Sequence, residues 1–195
     1  VDGENKKYKI EIYPSSVNVE NINEIWKKYG ILDHKIITIA PGSKWFTKMW
    51  PKEYFDELID KLIKTEKVKV ILVGGKEDKE IKLKNDYKTI DLRGETSLLD
   101  LAEILKRSDV IVTNDSAPIH IGSAFEKPYI IAIFGPTIKE FGFTPSNEKY
   151  EILEIDGLEC RPCGIHGHKK CPLGHFKCMK EILPEWVYDS VINKL

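Results

Sequence analysis

The sequence predicts an α/β fold in which a parallel sheet carries helices on both faces. Three observations lead to this prediction. Short β-branched runs recur along the chain, amphipathic stretches separate several of them, and glycine, hydroxyl and charged residues follow each run. Strands that alternate with helices in this way form parallel sheets covered on both sides. We therefore expect a Rossmann-like sheet, and 195 residues are enough for one large domain.

Five β-branched runs are predicted to be the strands. They span residues 36–40, 68–73, 89–92, 109–113 and 129–134. Two of the stretches between them carry apolar residues at helical spacing, namely Phe55, Leu58, Ile59 and Leu62, and then Leu98, Leu101, Ala102 and Leu105. A last helix is predicted over residues 184–195.

The first 30 residues are predicted to be an interdomain connection, and residues 31–195 the folded domain. The opening stretch is polar and weakly patterned, apart from an apolar alternation at residues 8–13 and a helical pattern at residues 21–29. The sequence begins with Val1 instead of Met, and from this we expect a trimmed chain.

Charge and hydropathy exclude two classes of partner. Lys and Arg number 30 against 31 Asp and Glu, a net charge of −1, and no basic stripe is visible, which argues against nucleic acid. The longest apolar run, residues 129–134, is too short to span a bilayer, and no charged-then-apolar leader opens the sequence. We therefore expect a soluble, cytoplasmic protein.

The segments that follow the predicted strands are expected to meet at one edge of the sheet. They comprise residues 41–48, 74–78, 93–97, 114–116 and 135–137, and they are rich in glycine, hydroxyls and charge. Open parallel sheets bind ligands outside the carboxyl ends of their strands. This edge is therefore the predicted ligand site.

The stretch TNDSAPIHIGSA, residues 113–124, places polar side chains where a strand passes into a helix. The first N–H groups of a helix lack intrahelical partners and attract anions, so the turn at Asp115, Ser116 and Ala117 predicts a phosphate site. The alternative is that Asp115 or Ser116 only caps the helix. His120 either contacts the phosphates or is a buried, hydrogen-bonded histidine.

Two further loops carry groups suited to a nucleotide. Ser43, Lys44 and Lys48 supply a hydroxyl and two ammonium groups for a diphosphate, although their spacing does not match a P-loop. Gly74 and Gly75 precede the acidic residues Glu77, Asp78 and Glu80, which could hold ribose hydroxyls or be solvated acids at a helix start.

All four cysteines lie within a Cys-rich segment, residues 160–178. They follow the pattern Cys160-x2-Cys163-x7-Cys171-x6-Cys178, with three histidines between them. The first pair suits a tetrahedral metal such as zinc, whereas the later gaps are irregular for a zinc ribbon. Free thiols or a labile disulfide are the alternatives.

Taken together, six motifs resemble glycosyltransferase family 9, the ADP-heptose:lipopolysaccharide heptosyltransferases, and most of all their heptosyltransferase II branch. The motifs are PGSKWFTKMWPKEYFDEL, ILVGGKED, IDLRGETSLLDLAEIL, IVTNDSAPIHIGSAF, KPYIIAIFGPT and CRPC…CPLGHFKCM. The resemblance implies the nucleotide-sugar-binding C-terminal half of a two-domain GT-B enzyme. The N-terminal half, which binds the acceptor and carries the proposed general base, is not in the sequence.

The resemblance also implies roles for individual residues. Ser43 and Lys48 match the family's diphosphate contacts, and Asp115 matches the aspartate that holds the sugar. The N–H groups of Ser116 and Ala117, with His120 nearby, match the phosphate-binding helix start, and Ala117 stands where the family usually has glycine. The ribose-binding acid corresponds to Glu77, Asp78 or Glu80. Lys48 and Asp115 are the implied catalytic residues.

The activity implied is transfer of heptose or a related sugar from ADP-heptose or a similar nucleotide sugar to the lipopolysaccharide inner core. No cofactor and no metal are expected in this reaction. The acceptor would bind through the N-terminal half, and the full-length enzyme could associate peripherally with the inner face of the inner membrane. The alternatives are an isolated nucleotide-sugar-binding domain, a GT-B epimerase or hydrolase, and a zinc-dependent interaction domain built on the cysteines.

Overall fold

The computed structural model describes residues 10–195, which form an α/β domain around one six-stranded sheet. The strands are β1 (Lys35–Ala40), β2 (Val68–Leu72), β3 (Ile90–Asp91), β4 (Val110–Asn114), β5 (Tyr129–Ile133) and β6 (Tyr150–Leu153). The helices are α1 (Ser16–Lys28), α2 (Lys52–Leu62), α3 (Leu98–Arg107), α4 (Ala117–Gly122), α5 (Lys177–Lys180) and α6 (Pro184–Ile192). Within this range no helix combines the length and the apolar character needed to cross a membrane.

The sheet is entirely parallel, with the strand order β3-β2-β1-β4-β5-β6. The chain moves outward from β1 to β3, then crosses through α3 to β4 on the other side of β1. Ala40 pairs with Thr113, so the carboxyl ends of β1 and β4 lie side by side. This is the switch point of a doubly wound sheet, where the loops diverge and leave a crevice.

Alternation along the strands buries apolar side chains on both faces. Ile37 and Ile39 of β1 face a core shared with α2 and α6, while Ile36 and Ala40 face a core shared with α1 and α3. A third cluster packs α3 and α4 over β4 and β5. The central strands are apolar on both sides because helices cover both sides.

Helix α1 begins at Ser16, five residues before the predicted helical pattern. Ser15 and Asn18 form a capping box that starts the helix there. Ile22 and Trp26 of α1 are buried in the core with Ile36 and Ile104. The sequence looks polar because only one narrow stripe of α1 faces the sheet. The proposed boundary at residue 30 stays a prediction. Of the apolar alternation at residues 8–13, residues 8 and 9 lie outside the described residues, and residues 10–13 form neither helix nor strand.

Strand β6 was not among the five predicted strands. It pairs with β5 at the edge of the sheet, with Ile130 opposite Tyr150 and Ile133 opposite Leu153. Of its four residues only Leu153 is fully buried. An edge strand needs few apolar residues, so its sequence lacks the β-branched run that marks the central strands.

The packing of α1 is tested by Ile22→Ala. Ile22 has no solvent exposure, so the substitution is expected to lower the free energy of unfolding by about 2–5 kcal/mol. Val17→Ala in the same helix is the control, because Val17 is largely exposed and its loss should cost less than about 0.5 kcal/mol. Urea denaturation measures both. Equal costs would show that α1 does not belong to the core.

Candidate active site

An open cleft of about 690 Å³ lies at the carboxyl edge of the sheet. It is lined by the segments that follow β1, β2 and β4, and by one residue of the Cys-rich segment. The predicted site residues among its lining are Ser43, Lys44, Lys48, Glu77, Asp78, Asp115, Ser116 and Ala117. The chain therefore brings these residues together at the edge where the sequence placed a ligand.

Asn114 joins the two loops on which the cleft is built. Its side chain is fully buried at the end of β4. Its amide nitrogen donates to the carbonyl oxygens of Pro41 (2.8 Å) and Gly42 (3.3 Å), and its amide oxygen accepts from the backbone N–H of Trp50 (3.0 Å). The loop after β1 is thus fixed to β4 at both of its ends.

Lys48 and Asp115 form an ion pair inside the cleft. Lys48 Nζ lies 2.6 Å from Asp115 Oδ2, and the two side chains are 10% and 5% exposed. The hydroxyl of Thr137, which is fully buried, donates to the same oxygen at 2.6 Å. Among the described residues no hydrogen bond is made to Asp115 Oδ1. That oxygen is left to accept from a ligand, and the charge of the carboxylate is already balanced.

The start of α4 carries no side-chain cap. Ser116 Oγ instead lies 3.2 Å from Thr113 Oγ1 and donates to the carbonyl oxygen of Asn114 at 3.3 Å. The alternative in which Asp115 or Ser116 merely caps the helix is therefore wrong. The uncapped start faces the cleft, although α4 has only six residues and a correspondingly short dipole.

Arg93, which is 2% exposed, holds the glycine-rich loop after β2 in place from inside the fold. Its guanidinium makes two 2.8 Å hydrogen bonds to the carboxylate of Asp91 and donates to the carbonyl oxygens of Asp78 (3.1 Å) and Ile81 (2.7 Å). Burial alone would raise the pKa of Asp91, but the Arg93 hydrogen bonds outweigh it and hold that pKa below its usual value.

The three acids of this loop occupy different places. Glu77 is exposed and lines the cleft, whereas Glu80 lies outside the lining. The Asp78 carboxylate accepts from the N–H of Gly75 at 2.8 Å. It also packs so closely on Gly42 that a Cβ there would lie 1.9 Å from Asp78 Oδ1. Burial raises the pKa of Asp78. Asp78 therefore braces the two loops although it also lines the cleft, and Glu77 is the exposed acid of the lining. Which acid would bind a ribose stays a prediction.

His120 is half-buried within α4 and does not belong to the lining of the cleft. The sequence did not single out Thr137 or Asn114 as site residues. Their only sequence signal is position, since Asn114 ends β4 and Thr137 lies in the loop after β5.

Comparison with known proteins decides the family. The family described as glycosyltransferase family 9 (heptosyltransferase) matches residues 6–176. The chain belongs to this family. Lipooligosaccharide heptosyltransferase 2 of Campylobacter jejuni is 32% identical over 169 residues, which cover 83% of this chain and 51% of that protein.

Solved structures agree on the fold of this family 9 chain. The family 9 glycosyltransferase of Veillonella parvula superposes with a TM-score of 0.79 at 25% identity, covering 99% of this chain and 55% of the other. The ADP-heptose lipopolysaccharide heptosyltransferase II of Escherichia coli gives 0.71 at 22% identity, covering 94% and 52%. The predicted fold class is confirmed. The chain spans about half the length of the relatives it matches.

The Cys-rich segment of this family 9 chain contains four free thiols. Cys163 Sγ donates to the carbonyl oxygen of Cys160 at 3.0 Å, and Cys160 Sγ lies 3.9 Å from His175 Nε2. Within residues 10–195 no group of three or more histidine, cysteine, aspartate or glutamate side chains is arranged to hold a metal ion. Burial, with a smaller contribution from Cys163 nearby, raises the pKa of Cys178 to about 12.

The raised pKa of Cys178 predicts an unreactive thiol. Only the thiolate is alkylated, and at pH 8 a thiol with a pKa of about 12 is almost wholly protonated. Iodoacetamide applied to the native protein should therefore modify Cys178 last, as read by peptide mass spectrometry. In denaturant all four cysteines should react at similar rates. If Cys178 were modified as fast as Cys160 in the native protein, its environment would differ from the one described.

Proposed function

We propose that this chain is the donor-binding half of a glycosyltransferase that moves heptose or a related sugar from ADP-heptose, or a similar nucleotide sugar, to the lipopolysaccharide inner core. Membership of family 9 supports the reaction class. The names of the relatives support the sugar, the nucleotide and the acceptor. Because the chain spans only half of those relatives, the activity is proposed for the whole protein, on the cytoplasmic side of the inner membrane.

The observation that carries the proposal is the Lys48–Asp115 ion pair at the switch point of the sheet. A bare carboxylate would repel a diphosphate. Paired with Lys48, Asp115 adds no net charge, and its free Oδ1 is suited to accept hydrogen bonds from sugar hydroxyls. The donor would lie with its diphosphate over Ser43, Lys48 and the start of α4. Its ribose would then reach Glu77.

The proposed reaction is an inverting displacement at the anomeric carbon. An acceptor hydroxyl attacks that carbon, the bond to the diphosphate oxygen breaks, and the nucleoside diphosphate leaves with the bonding electrons. Negative charge grows on the leaving diphosphate in the transition state. Fixed donors placed at that oxygen lower the barrier, and Lys48 with the N–H groups of Ser116 and Ala117 are the donors this chain offers.

Several parts of the reaction belong to the other half of the protein. The proposed general base and the acceptor site lie there, so we expect this chain alone to bind the nucleotide sugar without transferring the sugar. A GT-B epimerase or hydrolase is the competing activity. Release of free sugar from the nucleotide sugar without an acceptor would favour it over transfer.

The role of Lys48 is tested by calorimetry of the chain with ADP. Loss of one charge-assisted hydrogen bond is worth roughly 1.5–3 kcal/mol, so Lys48→Ala should weaken ADP binding by about 10- to 100-fold. Lys52→Ala is the control. Lys52 is exposed at the start of α2, so this substitution removes the same charge at a position outside the cleft. If the wild-type chain failed to bind ADP, or if both variants bound as the wild type does, the proposed donor site would be wrong.

The role of Asp115 has a different signature. Asp115→Asn removes a negative charge beside the diphosphate while the amide oxygen still accepts from Thr137, so ADP should bind at least as tightly as before. ADP-heptose should lose about 10-fold relative to ADP, because hydrogen bonds to a charged acceptor are the stronger ones. The two dissociation constants are measured side by side. Equal losses for both ligands would place Asp115 away from the sugar.

A further inference from the structure

The Cys-rich segment forms part of the wall of the cleft. His166 is among the residues that line it. The His166 ring lies 6.5 Å from that of Phe143, and Lys48 Nζ sits 5.3 Å from the centre of the Phe143 ring. His166 and Lys48 therefore share Phe143 as a neighbour, and Lys48 is the lysine that pairs with Asp115. No role in the donor site was predicted for the Cys-rich segment from the sequence.

The contact is made through the backbone of His168 and the residue before Lys48. The N–H of His168 donates to Thr47 Oγ1 at 2.7 Å, and the N–H of Thr47 donates to the carbonyl oxygen of His168 at 3.1 Å. Thr47 is buried. These reciprocal bonds join positions 121 residues apart in the chain. They fix the backbone of the turn on which Lys48 is carried.

Gly167 brings the segment directly onto the side chain of Lys48. Its φ of +86° lies in the left-handed region, and a Cβ there would meet Thr47 Oγ1 at 3.0 Å, Lys48 Cγ at 3.2 Å and Trp45 Cβ at 3.3 Å. A side chain at position 167 would be strained by this φ and would push these atoms back by a few tenths of an ångström. The aliphatic stem of Lys48 is consequently covered, and its ammonium has few directions left open.

We infer that residues 166–168 are a positioning element for Lys48, which hold its ammonium at the diphosphate of a nucleoside diphosphate donor. A free lysine side chain has rotamer entropy that is lost when a ligand binds it. The contact removes it in advance. Covering the stem also keeps water from the Lys48–Asp115 pair, and an exposed pair would be worth little. This inference rests on the proposed function.

The test compares ADP binding by variants on both sides of the contact. Thr47→Val keeps the shape but loses the hydroxyl that accepts from His168, and it should weaken ADP binding by about 3- to 10-fold. Thr47→Ser keeps the hydroxyl and should restore wild-type affinity. Gly167→Ala should weaken binding to a similar extent. Its matched control is Gly174→Ala, which has a similar φ of +75° in the same segment but open space around the Cβ.

A double-mutant cycle separates positioning from general damage. If Thr47 acts through Lys48, Thr47→Val should have no further effect on ADP affinity in a Lys48→Ala background. Thermal unfolding checks that each variant is folded. If Thr47→Val does not fold, Gly167→Ala takes its place in the cycle. An equal cost of Thr47→Val in both backgrounds, or an equal cost of Gly167→Ala and Gly174→Ala, would overturn the inference alone. A wild-type chain that bound no ADP would overturn the proposed function, and this inference with it.

Discussion

The Lys48–Asp115 ion pair is the interaction on which the rest of the cleft depends. Each charge is nearly buried, and burying either alone would cost several kcal/mol. The pair can form because β1 and β4 are neighbours in the sheet, although Ile37 and its partner Val110 are 73 positions apart in the sequence. Thr137, delivered by the loop after β5, supplies the second bond to the carboxylate. Three strand ends thus converge on one carboxylate oxygen.

Two buried polar side chains hold the loops around that pair, and both do so by binding backbone carbonyls. Asn114 fixes the loop after β1, and Arg93 fixes the loop after β2. The backbone carbonyl and N–H groups of loops have no hydrogen-bond partners in the sheet, so side chains or water must supply those partners. Satisfied networks of this kind are rigid. The cleft is therefore formed before a ligand arrives, which reduces the entropy that a ligand must lose.

Whether a feature of the fold or of the cleft could be predicted from the sequence depends on how far apart in the chain its interacting residues lie. Local pattern and the geometry of parallel sheets predict the central strands, the edge where their loops meet, and the placement of Lys48 and Asp115 at that edge. The ion pair between the two side chains was not predicted. Strand β6 and the start of α1 were not predicted, because an edge strand and a helix with one buried side need few apolar residues. The contact of Thr47 with His168 joins distant parts of the chain through a hydroxyl and backbone atoms. A contact of this kind leaves no pattern in the sequence around either residue.

The Lys48–Asp115 pair also bears on how the proposed reaction could be accelerated. An interaction raises the rate only if it is stronger in the transition state than in the ground state. Lys48 already has a partner, so a diphosphate in the ground state must share its charge with Asp115. As the leaving diphosphate gains negative charge, it competes better for the ammonium. Lys48 is paired with Asp115 before the donor binds, and we infer that residues 166–168 hold it in place. Its ammonium therefore interacts more strongly with the negative charge that develops on the leaving diphosphate than with the charge of the ground-state diphosphate.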